Sequence, residues 1–337
     1  MNPEKNDVTN DVTQRIDLAS DHFGGVALFA SDEFFAPKER LIHAAAPVWK
    51  DGEYTDRGKW MDGWETRRRR DVLPGEPGFD AAHDDCVIKL GAPGVIHAID
   101  VETTHFKGNF PASCSLDVCL MPGATTHYDL ARAVWQPALE RKALRGDAHN
   151  VLRVQHVQAT HVRLNIFPDG GVARLRAYGD VTPDWNALRH RGEVDLAAAV
   201  NGGVVVECSD MFFGSRHNLI MPGPPRGMAD GWETKRRRST GHDWTVVKLG
   251  ARGAVTRVEV DTRFFKGNAP AACSVDACTS DAPDGEWHEL LPRTPLAADR
   301  RHSFDAVLKK LPGVTHVRLN IFPDGGVARL HVFGRLE

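Results

Sequence analysis

The chain has 337 residues, 42% of them hydrophobic, which is enough for two domains with sizeable cores. Its 42 basic and 45 acidic residues give a net charge of −3, which argues against nucleic acid or an anionic membrane surface as the main partner. No stretch approaches the roughly 20 apolar residues of a membrane span. The sequence therefore predicts a soluble protein.

The first 16 residues are mostly polar and lack the apolar run of a signal peptide. We predict that residues 1–16 form a disordered tail and that the protein is cytoplasmic. The six cysteines are then expected to be free thiols.

The remaining sequence contains two copies of one unit. The block HVRLNIFPDGGVARL at residues 161–175 recurs without change at 316–330. Such matches predict one domain over residues 17–179 and another over 195–337, joined by a linker over 180–194.

The two copies differ by insertions. The spacing between matching residues falls from 178 at Asp17 and Asp195 to 155 at His161 and His316, so repeat 1 carries extra residues. Two insertions are expected within residues 43–59 and 71–82, in loops on either side of a Trp-Glu-Arg motif. If only one repeat is functional, this asymmetry favours repeat 1.

That motif, WETRRRR at 64–70 and WETKRRR at 232–238, is the most unusual in the chain. A basic run can be a nucleic-acid patch, but the balanced net charge and the acid inside the motif weaken that interpretation. On a strand, alternate arginines would face opposite sides and some would pair with acids of the same domain. The functional alternative is anion recognition, because arginine binds carboxylates through two parallel hydrogen bonds. Arg67 and Arg69 are the substrate-binding candidates.

Four residues are candidates for acid–base catalysis: Glu65, His83, Glu233 and His242. Each histidine precedes an aspartate. Adjacent side chains on a strand point apart, so neither pair is expected to form a dyad. A solvated loop histidine is the alternative.

An apolar strand is predicted at residues 95–101, and the loop FKGN at 106–109 follows it. We expect its glycine to adopt a positive φ. Lys107 and Asn109 are candidates to contact a ligand, although a purely structural loop explains the motif equally well.

Two cysteine pairs, Cys114/Cys119 and Cys273/Cys278, have a spacing that suggests metal binding. On a strand this spacing places the two side chains on opposite faces, roughly 16 Å apart. That is too far for one ion or one disulfide, so we interpret them as buried apolar residues. Helical periodicity is scarce, and residues 130–144 are the best candidate.

Residues 160–167 alternate as in a strand, with Val162, Leu164 and Ile166 on one face. A PDGG turn and a returning strand at 172–178 follow, which predicts a hairpin.

The polar side chains of this predicted hairpin are further substrate-binding candidates: Arg163, Asn165 and Arg174, with Arg318 and Asn320 in repeat 2. The alternative is a hairpin held together by its own polar contacts.

Short strands separated by Gly and Pro predict an all-β chain with two tandem jelly-roll or β-sandwich domains. The family resemblance described below implies the galactose-binding-like type of this fold. The sequence has no glycine-rich phosphate loop, no G-x-S-x-G, no H-E-x-x-H and no paired C-x-x-C. These absences disfavour phosphoryl transfer, serine hydrolysis and structural zinc.

Several blocks together resemble the allantoicase (allantoate amidinohydrolase) family over residues 17–334. They are ASDEFFAP at 30–37, KWMDGWETRRRR at 59–70, FKGNFPASCS at 106–115 and RLNIFPDGGVARL at 163–175. The resemblance implies two jelly-roll domains, a homo-oligomer, and hydrolysis of allantoate to ureidoglycolate and urea in purine and allantoin degradation.

Allantoate carries a carboxylate on a carbon that bears two ureido groups. Release of one urea needs a proton for the leaving nitrogen, a base for water and a cation for the carboxylate. Glu or His could supply the first two and Arg the third. A divalent metal could assist, but His83 and Asp84 are the only local pair worth testing, so the cofactor stays open. The alternative function is a non-catalytic tandem β-sandwich module that binds a small anionic or carbohydrate ligand.

Overall fold

A computed structural model describes Val12 and residues 15–71, 75–280 and 285–337. The predicted tail lies almost wholly outside these residues. The chain divides into two compact units, Met1–Thr182 and Pro183–Glu337. In both units the described residues form mainly strands, which confirms the predicted fold class.

Unit 1, called repeat 1 below, contains eleven described strands and one short α-helix. The strands are β1 (Ile16–Asp17), β2 (Val26–Ala30), β3 (Tyr54–Thr55), β4 (Gly58–Lys59), β5 (Trp64–Glu65), β6 (Asp84–Glu102), β7 (Ser113–Cys119), β8 (Gln136–Ala143), β9 (Val151–Phe167), β10 (Gly171–Val172) and β11 (Arg174–Val181). Helix α1 is His127–Leu130, and 3₁₀ helices cover Lys38–Ile42 and Phe79–Ala81.

Unit 2, called repeat 2, contains ten described strands and one short α-helix. The strands are β12 (Val194–Asp195), β13 (Val204–Cys208), β14 (Trp232–Glu233), β15 (Asp243–Asp261), β16 (Ala272–Cys278), β17 (Trp287–Pro295), β18 (Arg301–Phe304), β19 (Val314–Phe322), β20 (Gly326–Val327) and β21 (Arg329–Leu336). Helix α2 is Trp185–Arg189, and 3₁₀ helices cover Ala199–Asn201, Arg216–Ile220 and Met228–Asp230.

Each repeat is organised around one long central strand. In repeat 1 the order is β1-β11-β6-β9-β7-β8, with β2 also on β6. In repeat 2 it is β12-β21-β15-β19-β16-β17, with β13 and β18 also on β15. The pairing of β6 with β9 shifts register between Lys89 and Gly94, so each half of the long strand pairs separately.

The core follows the predicted alternation. Val162, Leu164 and Ile166 are fully buried, whereas Arg163 is partly exposed on the opposite face. Burial of each such side chain contributes about 1.5–3 kcal/mol. Trp64 is also fully buried, and it anchors β5 against the sandwich.

The predicted hairpin at residues 160–178 is wrong in its pairing. Strand β11 pairs with β6 and not with β9. The chain leaves β9, forms β10 beside β5, and only then enters β11. The PDGG segment therefore makes a wide connection. Gly170 has φ +137°, and a Cβ there would lie 2.7 Å from the Asn109 carbonyl oxygen, so glycine is required.

The helix expected at residues 130–144 is also wrong. Helix α1 ends at Leu130, and β8 occupies Gln136–Ala143 and pairs with β7. Pro137 has no backbone N–H to donate within a helix. No helix in the described parts of the chain is long and apolar enough to span a membrane.

The cysteine interpretation agrees with the described structure. Cys114 and Cys119 lie on β7, Cys273 and Cys278 lie on β16, and all four are buried. All six cysteines are free thiols.

Candidate functional site

Each repeat has one cleft built around its arginine run. Cleft 1 has a volume of about 640 Å³ and is lined by Ser31, Asp32, Phe34, Phe35, Arg67, Arg68, Arg69, Arg70, Asp71 and Asp84. Cleft 2, of about 560 Å³, is lined by Ser209, Asp210, Lys235, Arg236, Arg237, Arg238, Ser239 and Asp243. The two clefts occupy the same position in the duplicated sequence.

The arginines lie in an extended loop and not on a strand, because β5 ends at Glu65. The predicted alternation of arginines along a strand is therefore wrong. Loop carboxylates hold the run in place. Asp32 accepts hydrogen bonds from the backbone and the Nε of Arg67, at 2.9 and 2.6 Å. Asp169 accepts from Arg68 Nη1 at 2.6 Å and from the Arg69 backbone N–H at 2.9 Å.

The four arginines are not equally committed to these contacts. Arg69 donates to Asp71 at 2.5 Å and to Asp84 at 3.1 Å. Arg70 is exposed and has no ion pair or hydrogen bond to any described residue. Arg70 is therefore the cation at cleft 1 that is freest to bind an anionic ligand.

Asp84 is a buried carboxylate in the wall of cleft 1. Its Oδ1 accepts from Ser31 Oγ at 3.0 Å and from Arg69 Nη1. Its Oδ2 is buried and has no hydrogen-bond partner within the described residues. In the sequence, Asp84 stands out only as the neighbour of His83, and nothing in the pattern connects Ser31 and Asp32 with the arginine run.

Glu65 lies behind the arginine run, at the end of β5. Asn109 donates from Nδ2 to its Oε1 at 2.7 Å. Only 9% of Glu65 is exposed, and burial raises the pKa of its carboxyl, although Asn109 and the charge of Arg68 act in the opposite direction. A carboxyl with a raised pKa beside a cationic cleft is suited to acid–base catalysis.

The equivalent pair in repeat 2 is less enclosed. Asn268 donates to Glu233 at 2.6 Å, but Glu233 is only half-buried. The hydrogen bond from asparagine to glutamate is thus common to both repeats, but Glu233 is less buried than Glu65.

A second polar group lies on the sheet, where Arg163 and Asn165 point away from the core. Arg163 Nη2 and Asn165 Nδ2 donate to Asp117 at 2.9 and 3.0 Å. In repeat 2, Arg318 and Asn320 make the same contacts with Asp276, at 2.8 and 2.9 Å.

The two candidate histidines differ in their contacts. His83 is exposed, and its Nδ1 lies 2.9 Å from the Ala81 carbonyl. His242 lies with its Nε2 3.1 Å from Asn320 Oδ1. Neither histidine has its aspartate neighbour as a hydrogen-bond partner, as expected from their positions.

Two other substrate-binding candidates lie apart from cleft 1. Arg174 is 1% exposed, and its guanidinium is occupied by the backbone of Ala45 and by the backbone and carboxylate of Asp62. Lys107 is exposed, and its ammonium lies 3.8 Å from Asp147. The left-handed residue near this loop is His105, at φ +71°, and not Gly108 as predicted.

No group of three or more His, Cys, Asp or Glu is arranged to hold a metal ion in the portion of the chain that the structure describes. Basic, aspartate and serine side chains line both clefts, and two phenylalanines also line cleft 1.

Together, the fold and clefts define a tandem β-sandwich protein with a duplicated, arginine-lined cleft. The family model for the allantoicase repeat matches residues 16–182 and 194–337. A probable allantoicase of Photobacterium profundum is 46% identical, with 95% of this chain and 96% of the relative covered. The allantoicase of Dictyostelium discoideum is 44% identical, with 95% and 87% covered.

A crystal structure of allantoicase from Saccharomyces cerevisiae is similar to this chain with a TM-score of 0.81 and 32% identity. The match covers 99% of this chain and 98% of that one. The chain belongs to the allantoicase family.

Proposed function

We propose that the protein hydrolyses allantoate to ureidoglycolate and urea. The observation that carries this proposal is the match to the allantoicase family in both repeats, along nearly the whole chain. The relatives named allantoicase align with 87–96% of their own length, so the entire two-repeat unit is shared.

The arginine run suits the substrate's charge. Allantoate brings one carboxylate, and a guanidinium binds a carboxylate with two parallel hydrogen bonds. In cleft 1 we assign this role to Arg70, with Arg67 and Arg68 beside it. Arg69 is held by Asp71 and Asp84 and positions the wall. Arg174 is left out of the site because its guanidinium is buried and fully bonded.

The reaction breaks the bond between the central carbon and one ureido nitrogen. Water supplies the hydroxyl that the carbon gains and the proton that the leaving nitrogen gains. We assign the proton transfer to Glu65, because burial raises its pKa toward the range in which a carboxyl can both give and take a proton. His83, exposed beside the cleft, is the second candidate. In repeat 2 the corresponding residues are Glu233 and His242.

Lys107, Asn109, Arg163 and Asn165 remain proposed ligand contacts, with Arg318 and Asn320 in repeat 2. Asn109 acts through Glu65, to which it donates. The protein is further proposed to act in the cytoplasm, where its six free thiols stay reduced.

We also propose that the chain forms a homo-oligomer. Exposed aromatic pairs, Phe34–Phe35 and Phe212–Phe213, occur at the same place in both repeats, and exposed apolar groups of this kind often mark an interface. Light scattering after size exclusion would give the mass in solution, and a mass of one chain would contradict the oligomer.

The test of the activity is urea release. Purified protein is incubated with allantoate, and urea and ureidoglycolate are quantified against a heat-denatured control. Equal amounts of both products are expected. A folded protein that releases no urea above the control would contradict the proposal and favour the non-catalytic binding module.

A further inference from the structure

The outward sheet face around Asn165 in repeat 1 is called face 1, and the one around Asn320 in repeat 2 is called face 2. The two faces share most of their side-chain contacts. In face 1, Arg163 lies over the Trp135 ring at 4.7 Å, and Arg141 lies over Phe167 at 4.2 Å. In face 2 the same contacts are made by Arg318 over Trp287, at 5.1 Å, and by Arg293 over Phe322, at 4.1 Å. The asparagine at the centre, Asn165 or Asn320, donates to a serine and an aspartate in both.

The first difference concerns the oxygen of that asparagine. In face 2, His242 Nε2 lies 3.1 Å from Asn320 Oδ1 and satisfies it. In face 1 the equivalent His83 is turned to the Ala81 carbonyl. Asn165 is 95% buried, and its Oδ1 has no hydrogen-bond partner among the residues that the structure describes. A buried acceptor without a donor costs about 1–3 kcal/mol, so face 1 lacks a donor that face 2 contains.

The second difference is the residue beside the asparagine. Trp244 is the cross-strand neighbour of Asn320, and Asp85 is the cross-strand neighbour of Asn165. Asp85 is half-buried, its carboxylate has no hydrogen bond to a described residue, and burial raises its pKa. Cross-strand neighbours have Cβ atoms about 4.5–5.5 Å apart. Face 1 thus presents two adjacent acceptors without donors.

The charges around these acceptors select the kind of donor. Asp84, Asp85 and Asp117 supply three negative charges. Arg69, which is paired with Asp84, together with Arg141 and Arg163 supplies three positive ones. The group is neutral overall, so it has no excess negative charge to hold a cation. These side chains are complementary to a planar, uncharged ligand that has N–H donors on one edge and a carbonyl on the other. The N–H groups can donate to the two acceptors, and Arg163, which is one-third exposed, can donate to the carbonyl. Trp135 and Phe167 supply flat walls.

We infer that face 1 is a binding site for a ureido group, at Asp85 and Asn165, and that face 2 is closed by His242 and Trp244. The ligand's N–H groups donate to the Asp85 carboxylate and to Asn165 Oδ1, and its carbonyl accepts from Arg163. The choice of a ureido ligand rests on the proposed function, because allantoate carries two ureido groups and urea is the product. The two open acceptors do not depend on it.

The test uses methylurea, which has a ureido group and no carboxylate, so it has no charge to be attracted by the arginines of cleft 1. Its binding is measured by ligand-observed NMR titration of the full chain. Asp85→Trp introduces the residue that repeat 2 carries at the same position, and Asp85→Ala removes the acceptor with the least change in packing. Trp244→Ala is the matched control in repeat 2.

Methylurea should bind the wild type, and both Asp85 variants should weaken that binding by about tenfold or more, the effect of losing a hydrogen bond to a charged acceptor. Trp244→Ala should leave it unchanged. Unchanged binding in the Asp85 variants, or no binding to the wild type, would overturn the inference. The inference would also be overturned if methylguanidinium bound more tightly than methylurea and lost this binding in Asp85→Ala, because face 1 would then be a cation site.

This experiment fails separately from the test of the proposed function. If the protein releases urea from allantoate but methylurea does not bind at Asp85, the proposed activity is supported and the ureido site on face 1 is contradicted. If methylurea binds at Asp85 but no urea is released, the ureido site is supported and the proposed activity is contradicted.

Discussion

The two repeats share their buried framework and differ where the framework meets solvent. Trp64 and Trp232 are both fully buried, and Arg174 and Arg329 make the same buried contacts with Asp62 and Asp230. At the clefts the repeats diverge, because Glu65 is buried and Glu233 is only half-buried. The contacts of the buried framework are therefore common to both repeats, and the degree of burial of this glutamate is not.

The insertions of repeat 1 lie beside these differences. Residues 43–59 include the β3–β4 hairpin, where Arg57 donates to the Glu33 carbonyl at 2.9 Å, next to cleft 1. A further segment before Trp135 carries helix α1, whose Leu130 packs in a cluster with Val87 and Cys119. The extra residues thus build around the cleft and the sheet face of repeat 1. We therefore propose that the active site lies in repeat 1.

The largest expected effect concerns what the repeats share. Arg174→Ala and Arg329→Ala should each lower the free energy of unfolding of their own repeat by about 3–5 kcal/mol, because each leaves a largely buried aspartate, with its side chain 11% exposed, without its cation. Guanidinium chloride unfolding of both variants measures this. If either variant lost less than about 1 kcal/mol of unfolding free energy, the two arginines would not have equivalent structural roles.

The next effect separates the two clefts. Arg70→Ala should raise the KM for allantoate by about tenfold or more, since it removes a charged donor for the substrate carboxylate. Arg238→Ala, at the same position in repeat 2, should leave KM within about twofold. Steady-state kinetics of the pair decides the matter, and equal increases in KM would mean that both clefts bind substrate.

A pH effect follows from Glu65. Burial raises its pKa, so the folded state favours the protonated carboxyl more than the unfolded state does. Its contribution to stability is then present below the unfolded pKa and is lost as pH rises through the folded pKa. Glu65→Gln should match the wild type near pH 4 and be more stable near pH 7, by the order of 1 kcal/mol. Thermal unfolding at both pH values checks this, with Glu233→Gln as control. The prediction would be contradicted if the stability gain of Glu65→Gln over the wild type were smaller at pH 7 than at pH 4.

The smallest effect is expected at the FKGN loop. Lys107 and Lys266 are each exposed, 3.8 Å from an aspartate. Replacing either lysine with alanine should change stability by less than about 0.5 kcal/mol, because exposed ion pairs contribute little. An increase in KM in Lys107→Ala alone would support the proposed contact of this lysine with the substrate.

The strands could be predicted because their burial is periodic. Val162, Leu164 and Ile166 alternate with polar residues, and that alternation survives in the structure. Pairing could not be predicted in the same way. Residues 172–178 read as a returning strand next to 160–167, but the intervening strand β10 pairs with β5, and the paired residues Gly171 and Glu65 are 106 positions apart in the chain. Local pattern carries no information on such a long-range partner.

The candidate site shows the same limit. The arginine run was visible in the sequence, and so was Glu65. The carboxylates that hold the run, Asp32 and Asp169, come from distant loops. Nothing in the sequence pointed to Asp85. Its role depends on the lack of a donor to Asn165 Oδ1 and on Trp244, which takes the position of Asp85 in repeat 2.

The most direct test of the central claim, that repeat 1 is the working copy, compares the two glutamates. Glu65→Gln and Glu233→Gln remove the same carboxyl from equivalent positions and retain an acceptor for Asn109 or Asn268. The kcat for urea release from allantoate should fall by about 100-fold or more in Glu65→Gln, the usual contribution of general acid–base catalysis, and should stay within about twofold in Glu233→Gln. Equal losses in the two variants, or a larger loss in Glu233→Gln, would contradict the account.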